Sequence, residues 1–285
     1  MATTFTKITL NNGVEMPQIG FGTFRIPPED TERCVLAALQ AGYRMIDTAA
    51  AYFNEEGVGS AIKRSGIPRE EIFVVTKLWI QDQGYEAAKA AIETSLQKLQ
   101  LEYLDLYLIH QPFGDYYGSW RAMEEMLEEG KVRAIGVCNF QDDRFLDLIL
   151  HNKVVPAINQ IEINPFMQQK KTMEVFKENS IQYMAWAPLA QGGNGIFSNE
   201  VIKPIADKHH KTVAQIVLRW HIQRGTIVIP RSTKPERMTE NLSVFDFELT
   251  NEEMEQISAL DKGKSDIVDF YDIGFVKSIN NLKIR

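Results

Sequence analysis

Eight short apolar runs in this sequence each end in a residue that could contribute to a site. In chain order, these residues are Gly22, Asp47, Lys77, His110, Asn139, Gln160, Trp186 and Arg231. Tyr52 follows Asp47 by five residues, so a short loop can bring it to the same place. An acid, a lysine, a histidine and a tyrosine are groups that transfer protons and stabilise developing charge. The two amide side chains each offer a hydrogen-bond donor and an acceptor.

These side chains can meet only if the apolar runs are parallel strands that end at one edge. The predicted strands are 18–21, 44–46, 72–76, 104–109, 132–137, 157–159, 181–185 and 226–229, and the predicted helices are 29–41, 55–63, 85–99, 119–129, 142–150, 168–178, 200–209, 212–224 and one from 235. Helical crossovers make successive strands parallel, and continuous apolar strands are buried on both faces. The pattern therefore predicts an α/β fold, a closed (β/α)8 TIM barrel, whose sites lie at the carboxyl ends of the strands.

Three additions to the barrel are predicted, and residues 1–285 are expected to form a single barrel domain. Residues 6–16 indicate an amino-terminal β-hairpin, in which Asn12 and Gly13 supply the positive φ angles of a primed turn. The capping box at Thr250 begins an extra helix, and residues 265–285 form a carboxyl-terminal tail with Phe270, Tyr271 and Phe275. An open dinucleotide-binding sheet is disfavoured, because residues 20–25 lack the third glycine of its fingerprint.

Composition excludes several classes of partner. With 31 basic and 38 acidic residues the net charge is −7, which argues against binding to nucleic acid or to an anionic membrane. No apolar stretch is long enough to span a bilayer, and Met1–Thr4 does not begin an export signal, so a cytoplasmic location is expected. No histidine has partners at metal-ligand spacing, and no metal is predicted. An anionic ligand would therefore need a local cluster of cations.

Six ordered motifs resemble those of the aldo-keto reductases, in particular the bacterial 2,5-diketo-D-gluconate reductase-like members. They are GYRMIDTA at 42–49 with Tyr52, Asn54, Glu55 and Gly59; TKLW at 76–79; LYLIH at 106–110; GVCNF at 136–140; NQIE at 159–162; and IPRS at 229–232 with Arg237, Glu240 and Asn241. The resemblance covers residues 5 to about 260. It implies an NADPH-dependent oxidoreductase that reduces aldehydes or ketones to alcohols.

The resemblance also implies a role for each matching residue. Tyr52 would protonate the carbonyl oxygen, with a neighbouring cation, Lys77, favouring its ionised form; Asp47 would hold Lys77, and His110 would orient the carbonyl. The residues implied for NADPH or NADP+ are Gly22, Thr23, Asp47, Asn139, Gln160, Trp186, Leu189, Arg231, Ser232, Arg237, Glu240 and Asn241. The implied substrate pocket consists of Trp79, His110, Gln111 and Phe113, with the aromatic tail.

One departure from the family pattern bears on substrate choice, because Gln111 stands where tryptophan is common.

Two alternatives stay open at this point: a Schiff-base aldolase that uses Lys77, and a non-catalytic NADPH-binding structural or regulatory protein. A small carbonyl substrate is expected, and neither an obligate protein partner nor an association surface is evident, so a monomer is the default.

Overall fold

Eight parallel strands form one curled sheet in the computed structural model, which describes residues 6–284. In chain order they are β3 (Phe21–Gly22), β4 (Met45–Asp47), β5 (Phe73–Leu78), β6 (Leu106–Ile109), β7 (Ile135–Cys138), β8 (Ile158–Glu162), β9 (Gln182–Trp186) and β10 (Ile227–Val228). The sheet closes because Gly20 N donates to Val228 O at 2.8 Å and Val228 N donates to Gln18 O at 3.0 Å. The predicted eight-stranded α/β barrel is confirmed, and the carboxyl ends of its strands form its mouth.

Helices follow the strands around the outside. Within residues 6–284 they are α1 (Pro28–Ala41), α2 (Glu55–Ser65), α3 (Tyr85–Leu99), α4 (Tyr116–Glu128), α5 (Asp142–Leu150), α6 (Lys170–Glu178), α7 (Ile202–His209), α8 (Val213–Gln223), α9 (Pro235–Leu242), α10 (Asn251–Ser258) and α11 (Ile273–Asn281). Gly42 ends α1 at φ 114°, and Thr250 begins α10 with a capping box, both as predicted. No helix in the described chain combines the length and apolarity needed to cross a bilayer.

Most of the helices begin and end within two residues of the predicted bounds, and two helices differ by more. Helix α4 begins at Tyr116 rather than at Ser119, because the Asp115 carboxylate accepts a hydrogen bond from Gly118 N at 2.8 Å and caps an earlier turn. Helix α11 lies in the tail and was not predicted. Ile273, Val276 and Ile279 recur in it at helical spacing, although the helix contains no buried residue. The predicted absence of an export signal falls on Met1–Thr4, outside the described residues.

The amino-terminal hairpin covers the opposite end of the barrel. Strands β1 (Lys7–Thr9) and β2 (Glu15–Pro17) pair antiparallel. Only Gly13 of the connecting turn has a positive φ, so the predicted primed turn is wrong; instead Asn12 Oδ1 accepts a hydrogen bond from Val14 N and supports the turn locally.

The side chains of the turn attach the hairpin to the barrel. Asn11 Nδ2 donates to the carbonyl of Pro156, and Asn12 Nδ2 donates to that of Arg133, at the starts of β8 and β7. Met16 is fully buried in one apolar cluster with residues such as Leu106, at the start of β6. The hairpin therefore closes the base of the barrel.

Candidate active site

A buried ion pair lies at the mouth. Asp47 ends β4, and Lys77 is carried by the neighbouring β5, so Lys77 Nζ comes within 2.6 Å of Asp47 Oδ1. The lysine also donates to Thr48 O at 2.8 Å, and both charged side chains are buried. Burial alone lowers the pKa of Lys77, but the charge of Asp47 reverses this and the pKa is raised. Lys77 is thus a permanent cation at neutral pH.

Tyr52 is positioned above this pair by a short loop. It ends a single 3₁₀ turn, Ala50–Tyr52, and Phe53 then adopts the left-handed conformation at φ 57°. Asn54 fixes the loop from below, because its Oδ1 accepts from Thr48 Oγ1 at 2.7 Å and its Nδ2 donates to Thr23 O at 3.1 Å. The Tyr52 ring centroid consequently lies 5.0 Å from Lys77 Nζ.

The acidity of Tyr52 differs from the expectation. Burial is the largest influence and raises the pKa of Tyr52 to about 12, while the charge of Lys77 acts in the opposite direction and only partly compensates. The net shift is therefore opposite to the one expected from the cation alone. Tyr52 is protonated at neutral pH and has a proton to donate, while Lys77 is placed to stabilise the phenolate that would remain.

His110 faces Tyr52 from the end of β6. The two ring centroids are 5.6 Å apart in an edge-to-face arrangement, and the Trp79 ring lies 5.2 Å from His110 on another side. Burial and the charge of Lys77 hold the pKa of His110 well below its usual value of 6.5. His110 is therefore a neutral imidazole, which carries one N–H donor.

Two amides and an indole follow on the next strands. Gln160 Nε2 donates to Asp47 Oδ2 at 2.8 Å and contacts Met184 Sδ at the same distance. Asn139 donates to His110 O at 3.1 Å and accepts from Trp186 Nε1 at 2.8 Å. These contacts thus join the ends of five strands, β4, β6, β7, β8 and β9. Sequence reasoning did not identify the contribution of Met184.

A cluster of cations lies beyond β10. Arg231, Lys234 and Arg237 are exposed, and none of the three forms an ion pair with a carboxylate among the described residues. We call these three residues the cationic cluster. Ser232 is buried between them, and its hydroxyl accepts from Lys234 N at 3.1 Å. Lys234 was missed in the sequence, although it stands directly before Pro235, the first residue of α9.

The last two residues of the expected cofactor set lie beside this cluster on α9. Glu240 accepts a hydrogen bond from Thr212 Oγ1 at 2.8 Å, and Asn241 is buried beside Tyr43. Both are therefore held by contacts within the chain.

Gly22 and Thr23 lie where the first strand leaves the barrel. A Cβ on Gly22 would lie 2.8 Å from the main-chain oxygen of Ile229, so only glycine allows this close approach between β3 and the chain beyond β10. Thr23 is buried, and both its N and its Oγ1 donate to Asp47 O. These contacts place the main chain of residues 22–23 beside the carboxyl end of β4.

The loop that begins at Leu189 follows the carboxyl end of β9. Ala190 and Gln191 have φ angles of 49° and 53°, and Gly192 and Gly195 are also in the left-handed region. Arg25 Nη1 donates to Gln191 Oε1 at 3.3 Å, while Arg231 Nη2 donates to Arg25 O at 2.6 Å. The loop after β3 thus contacts both the Leu189 loop and the cationic cluster.

The tail contacts the expected substrate side through its last residues. Trp79 Nε1 donates to Leu282 O at 3.0 Å, and Ile284 packs with Trp79 in a small apolar cluster. The sequence led us to expect that the aromatic residues of the tail would make this contact. Instead, Tyr271 is 72% exposed, and Phe270 packs on Phe275. Phe113 is buried and lies beneath the guanidinium of Arg144, at 5.1 Å.

This geometry disfavours Schiff-base chemistry. A lysine nucleophile must be an uncharged amine, whereas Lys77 is ion-paired, donates a second hydrogen bond and has a raised pKa. The same geometry is suited to proton transfer at Tyr52, with a cation and a neutral imidazole both close to the phenol ring.

Comparison with known proteins gives the same assignment. The profile of the Aldo/keto reductase family matches residues 18–262. The chain is 49% identical to a glyoxal reductase of Bacillus subtilis (strain 168), over 90% of this chain and 92% of that protein. It is 47% identical to a methylglyoxal reductase of Escherichia coli (strain K12), over 91% and 94% of the two chains. A crystal structure of a Bombyx mori aldo-keto reductase in complex with NADP is 35% identical, covers 96% of this chain and 97% of that one, and has a TM-score of 0.89. The chain therefore belongs to the aldo/keto reductase family.

Proposed function

We propose that this protein reduces aldehydes or ketones to alcohols with NADPH, and that Tyr52 is the proton donor. The observation that carries the proposal is the buried Lys77–Asp47 pair next to Tyr52, with the neutral His110 ring 5.6 Å from the Tyr52 ring. In the balanced reaction, a carbonyl compound, NADPH and one proton give an alcohol and NADP+. No comparable observation favours the two alternatives, a Schiff-base aldolase and a non-catalytic NADPH-binding protein.

The residues present fit this cofactor. The cationic cluster offers exposed positive charges without carboxylate partners, which is the environment that a phosphate group needs. Arg231, Ser232 and Arg237 would hold the 2′-phosphate, with Glu240 and Asn241 near the adenine. Asn139, Gln160 and Trp186 would hold the nicotinamide, and Gly22, Thr23 and Leu189 would line the path between the two ends. Bound NADPH supplies the hydride.

The protein's own part is to place and protonate the carbonyl. His110 donates a hydrogen bond to the carbonyl oxygen, because its buried ring is neutral and keeps one N–H. The Tyr52 hydroxyl transfers its proton to the same oxygen, and the adjacent Lys77 cation stabilises the phenolate. Asp47 keeps Lys77 charged and fixed in this position. These are preorganised interactions that strengthen as negative charge develops on oxygen.

The substrate that we infer is a small carbonyl compound, since relatives that match nine-tenths of this chain are named glyoxal and methylglyoxal reductases. No obligate protein partner is invoked. That the protein is a cytoplasmic monomer, and that residues 1–285 form a single domain, stay predictions from the sequence.

The test is a spectrophotometric assay of NADPH oxidation with methylglyoxal, combined with fluorescence titration of NADPH binding. Tyr52→Phe should lower kcat by about 10²- to 10⁴-fold and leave NADPH binding intact. Tyr85→Phe, on the exposed side of α3, is the matched control and should not change kcat. Unchanged turnover in Tyr52→Phe would refute the assigned acid, and a wild-type protein that does not bind NADPH would refute the function.

A further inference from the structure

A fully buried amide, Asn159, lies on β8 directly before Gln160. Because Gln160 contacts Asp47 in the barrel and side chains alternate along a strand, Asn159 points to the other face, toward the helices. Its neighbours on that face, Val137 on β7 and Ile161 on β8, are apolar and buried. Asn159 is therefore a polar residue in an apolar layer, and the mechanism proposed above does not use it.

The amide of Asn159 has a partner for only one of its two polar atoms. Nδ2 donates to the main-chain oxygen of Phe140 at 2.8 Å, and this contact fixes the orientation of the amide, because only its nitrogen can donate. Oδ1 is left without a hydrogen-bond partner among residues 6–284. A buried acceptor that lacks a donor destabilises the folded state. A leucine would fill the layer without this unpaired atom, so packing alone does not explain the amide.

The carbonyl that Asn159 holds belongs to the residue after Asn139. Asn139 has a φ of 62°, in the left-handed region that residues other than glycine seldom adopt. Hydrogen bonds to β8 hold the chain on both sides of this φ angle: Asn139 N donates to Gln160 O at 3.0 Å, and Asn159 holds the carbonyl of Phe140. Two successive residues of β8 thus fix the conformation at Asn139.

In this conformation, the side chain of Asn139 joins two other residues of the site. Its Nδ2 donates to His110 O at 3.1 Å, and its Oδ1 accepts from Trp186 Nε1 at 2.8 Å. The direction of a side chain depends on the φ and ψ angles of its residue, so a change of conformation at Asn139 would redirect the amide and break both contacts.

We propose that Asn159 is a positioning residue, which keeps Asn139 in the left-handed conformation by holding the carbonyl of Phe140. Through Asn139 it also keeps His110 and Trp186 in place. Asn159 itself lies on the other face of β8 and would contact neither the cofactor nor the substrate. This role rests on the proposed reductase function, in which Asn139 and Trp186 hold the nicotinamide.

The experiment measures the affinity of Asn159→Leu for two ligands by isothermal titration calorimetry. NADPH has a nicotinamide, whereas adenosine 2′,5′-bisphosphate has the same adenine and 2′-phosphate and no nicotinamide. Asn159→Leu should weaken the binding of NADPH by about 10-fold and that of the bisphosphate by less than about 3-fold. It should also lower kcat for methylglyoxal by about 10-fold or more, because the groups around the reacting carbon are displaced.

Gln18→Leu is the matched control. Gln18 is also a buried amide that donates to a main-chain oxygen, that of Ile222 at 2.8 Å, but it lies before β3, at the base of the barrel. Gln18→Leu should lower the urea midpoint and leave the ratio of the two affinities unchanged. Asn159→Leu should do the reverse, with a changed ratio and a urea midpoint close to that of the wild type, because it also removes the unpaired Oδ1.

The results also distinguish the role of Asn159 from the proposed function. Equal weakening of both ligands in Asn159→Leu would overturn the positioning role, because a general effect on the fold predicts that result. Wild-type affinity for NADPH together with a wild-type kcat would overturn it as well, and in both cases the reductase function would stand. A wild-type protein that does not bind NADPH would refute the function itself. If Asn159→Leu does not fold, Asn159→Ala removes the same donor and should show the same change in the ratio.

Discussion

Gln160 donates a 2.8 Å hydrogen bond to Asp47 Oδ2, while Asp47 Oδ1 binds Lys77 at 2.6 Å. The two oxygens of one buried carboxylate thus have different partners on two strands, β8 and β5. Two directed contacts leave the carboxylate little freedom to rotate. Asp47 consequently holds the Lys77 cation at one place beneath Tyr52, which is the property that the proposed proton transfer requires.

Asp47→Asn should destabilise the fold as well as the site. The substitution preserves the size of the side chain but leaves the buried Lys77 ammonium without its counter-ion. Breaking a buried pair in this way costs about 3–5 kcal/mol. Urea denaturation, followed by circular dichroism, should report a free energy of unfolding lower by this amount.

Glu15→Gln is the matched control for this measurement, because the Lys7–Glu15 pair is more than half exposed on both sides. An exposed pair contributes about 0–1 kcal/mol. Equal losses in the two variants would contradict the importance assigned to the buried pair.

The rate of carbonyl reduction should be nearly independent of pH from about pH 6.5 to 9. The proton donor Tyr52 has a pKa raised to about 12, so it loses its proton only well above this window. The pKa of His110 is lowered, so it stays neutral throughout and would gain a proton only at more acidic pH. Activity should fall at high pH, as Tyr52 ionises. Measurement of kcat/KM across this range tests the assignment, and a titration midpoint inside the window would argue against it.

Arg231→Ala should weaken the binding of NADPH about 10-fold and change the binding of NADH little, because only NADPH carries the 2′-phosphate that the cationic cluster would hold. Fluorescence titration with both cofactors measures the effect. Arg121→Ala, at an exposed position on α4, removes one positive charge elsewhere and should affect neither affinity. Equal weakening of NADH and NADPH by Arg231→Ala would assign Arg231 a role outside phosphate recognition.

Stability should decrease in acid through one carboxylate outside the site. Burial alone would raise the pKa of Glu253, but hydrogen bonds from Lys208 and His209 lower it from the usual 4.5 to about 2. The unfolded chain therefore binds a proton at higher pH than the folded protein does. The contribution is present above about pH 4.5 and is lost as the pH falls toward 2.

Glu253→Gln should reduce this loss, measured as the difference between urea midpoints at neutral and acidic pH. Glu255→Gln, an exposed position on the same helix, should keep the wild-type difference. Identical acid sensitivity in wild type and Glu253→Gln would show that other carboxylates dominate the transition.

The sequence predicted the elements that a strong local pattern determines. Helices α3 and α5 have the predicted bounds, because their apolar stripes begin and end sharply. The strands that carry Asp47 and Lys77 were also identified, although they continue one and two residues beyond the predicted ends, so that both residues lie within them. Parallel strands in a barrel then place such residues at one mouth, whatever the details of the loops.

Features that depend on distant contacts could not be predicted. The main-chain carbonyl of Thr48 accepts a hydrogen bond from Lys77, and Met184 contacts Gln160. Nothing in the sequence around Thr48 or Met184 identifies them as partners of these residues. The direction of the pKa shift of Tyr52 depends on how completely the loop encloses the phenol. The tail reaches Trp79 through a main-chain oxygen of Leu282, a group that every residue has.

The hairpin that covers the base of the barrel divides the molecule by function. Because Asn11 and Asn12 attach it to carbonyls at the starts of β8 and β7, that end is fastened to two neighbouring strands of the barrel. Substitutions there act on the persistence of the fold, whereas those at the other end act on what is bound and how fast it reacts. Over evolutionary time, the loops at the mouth can diversify toward new carbonyl compounds while the base stays the same, since a change in one half need not be compensated in the other.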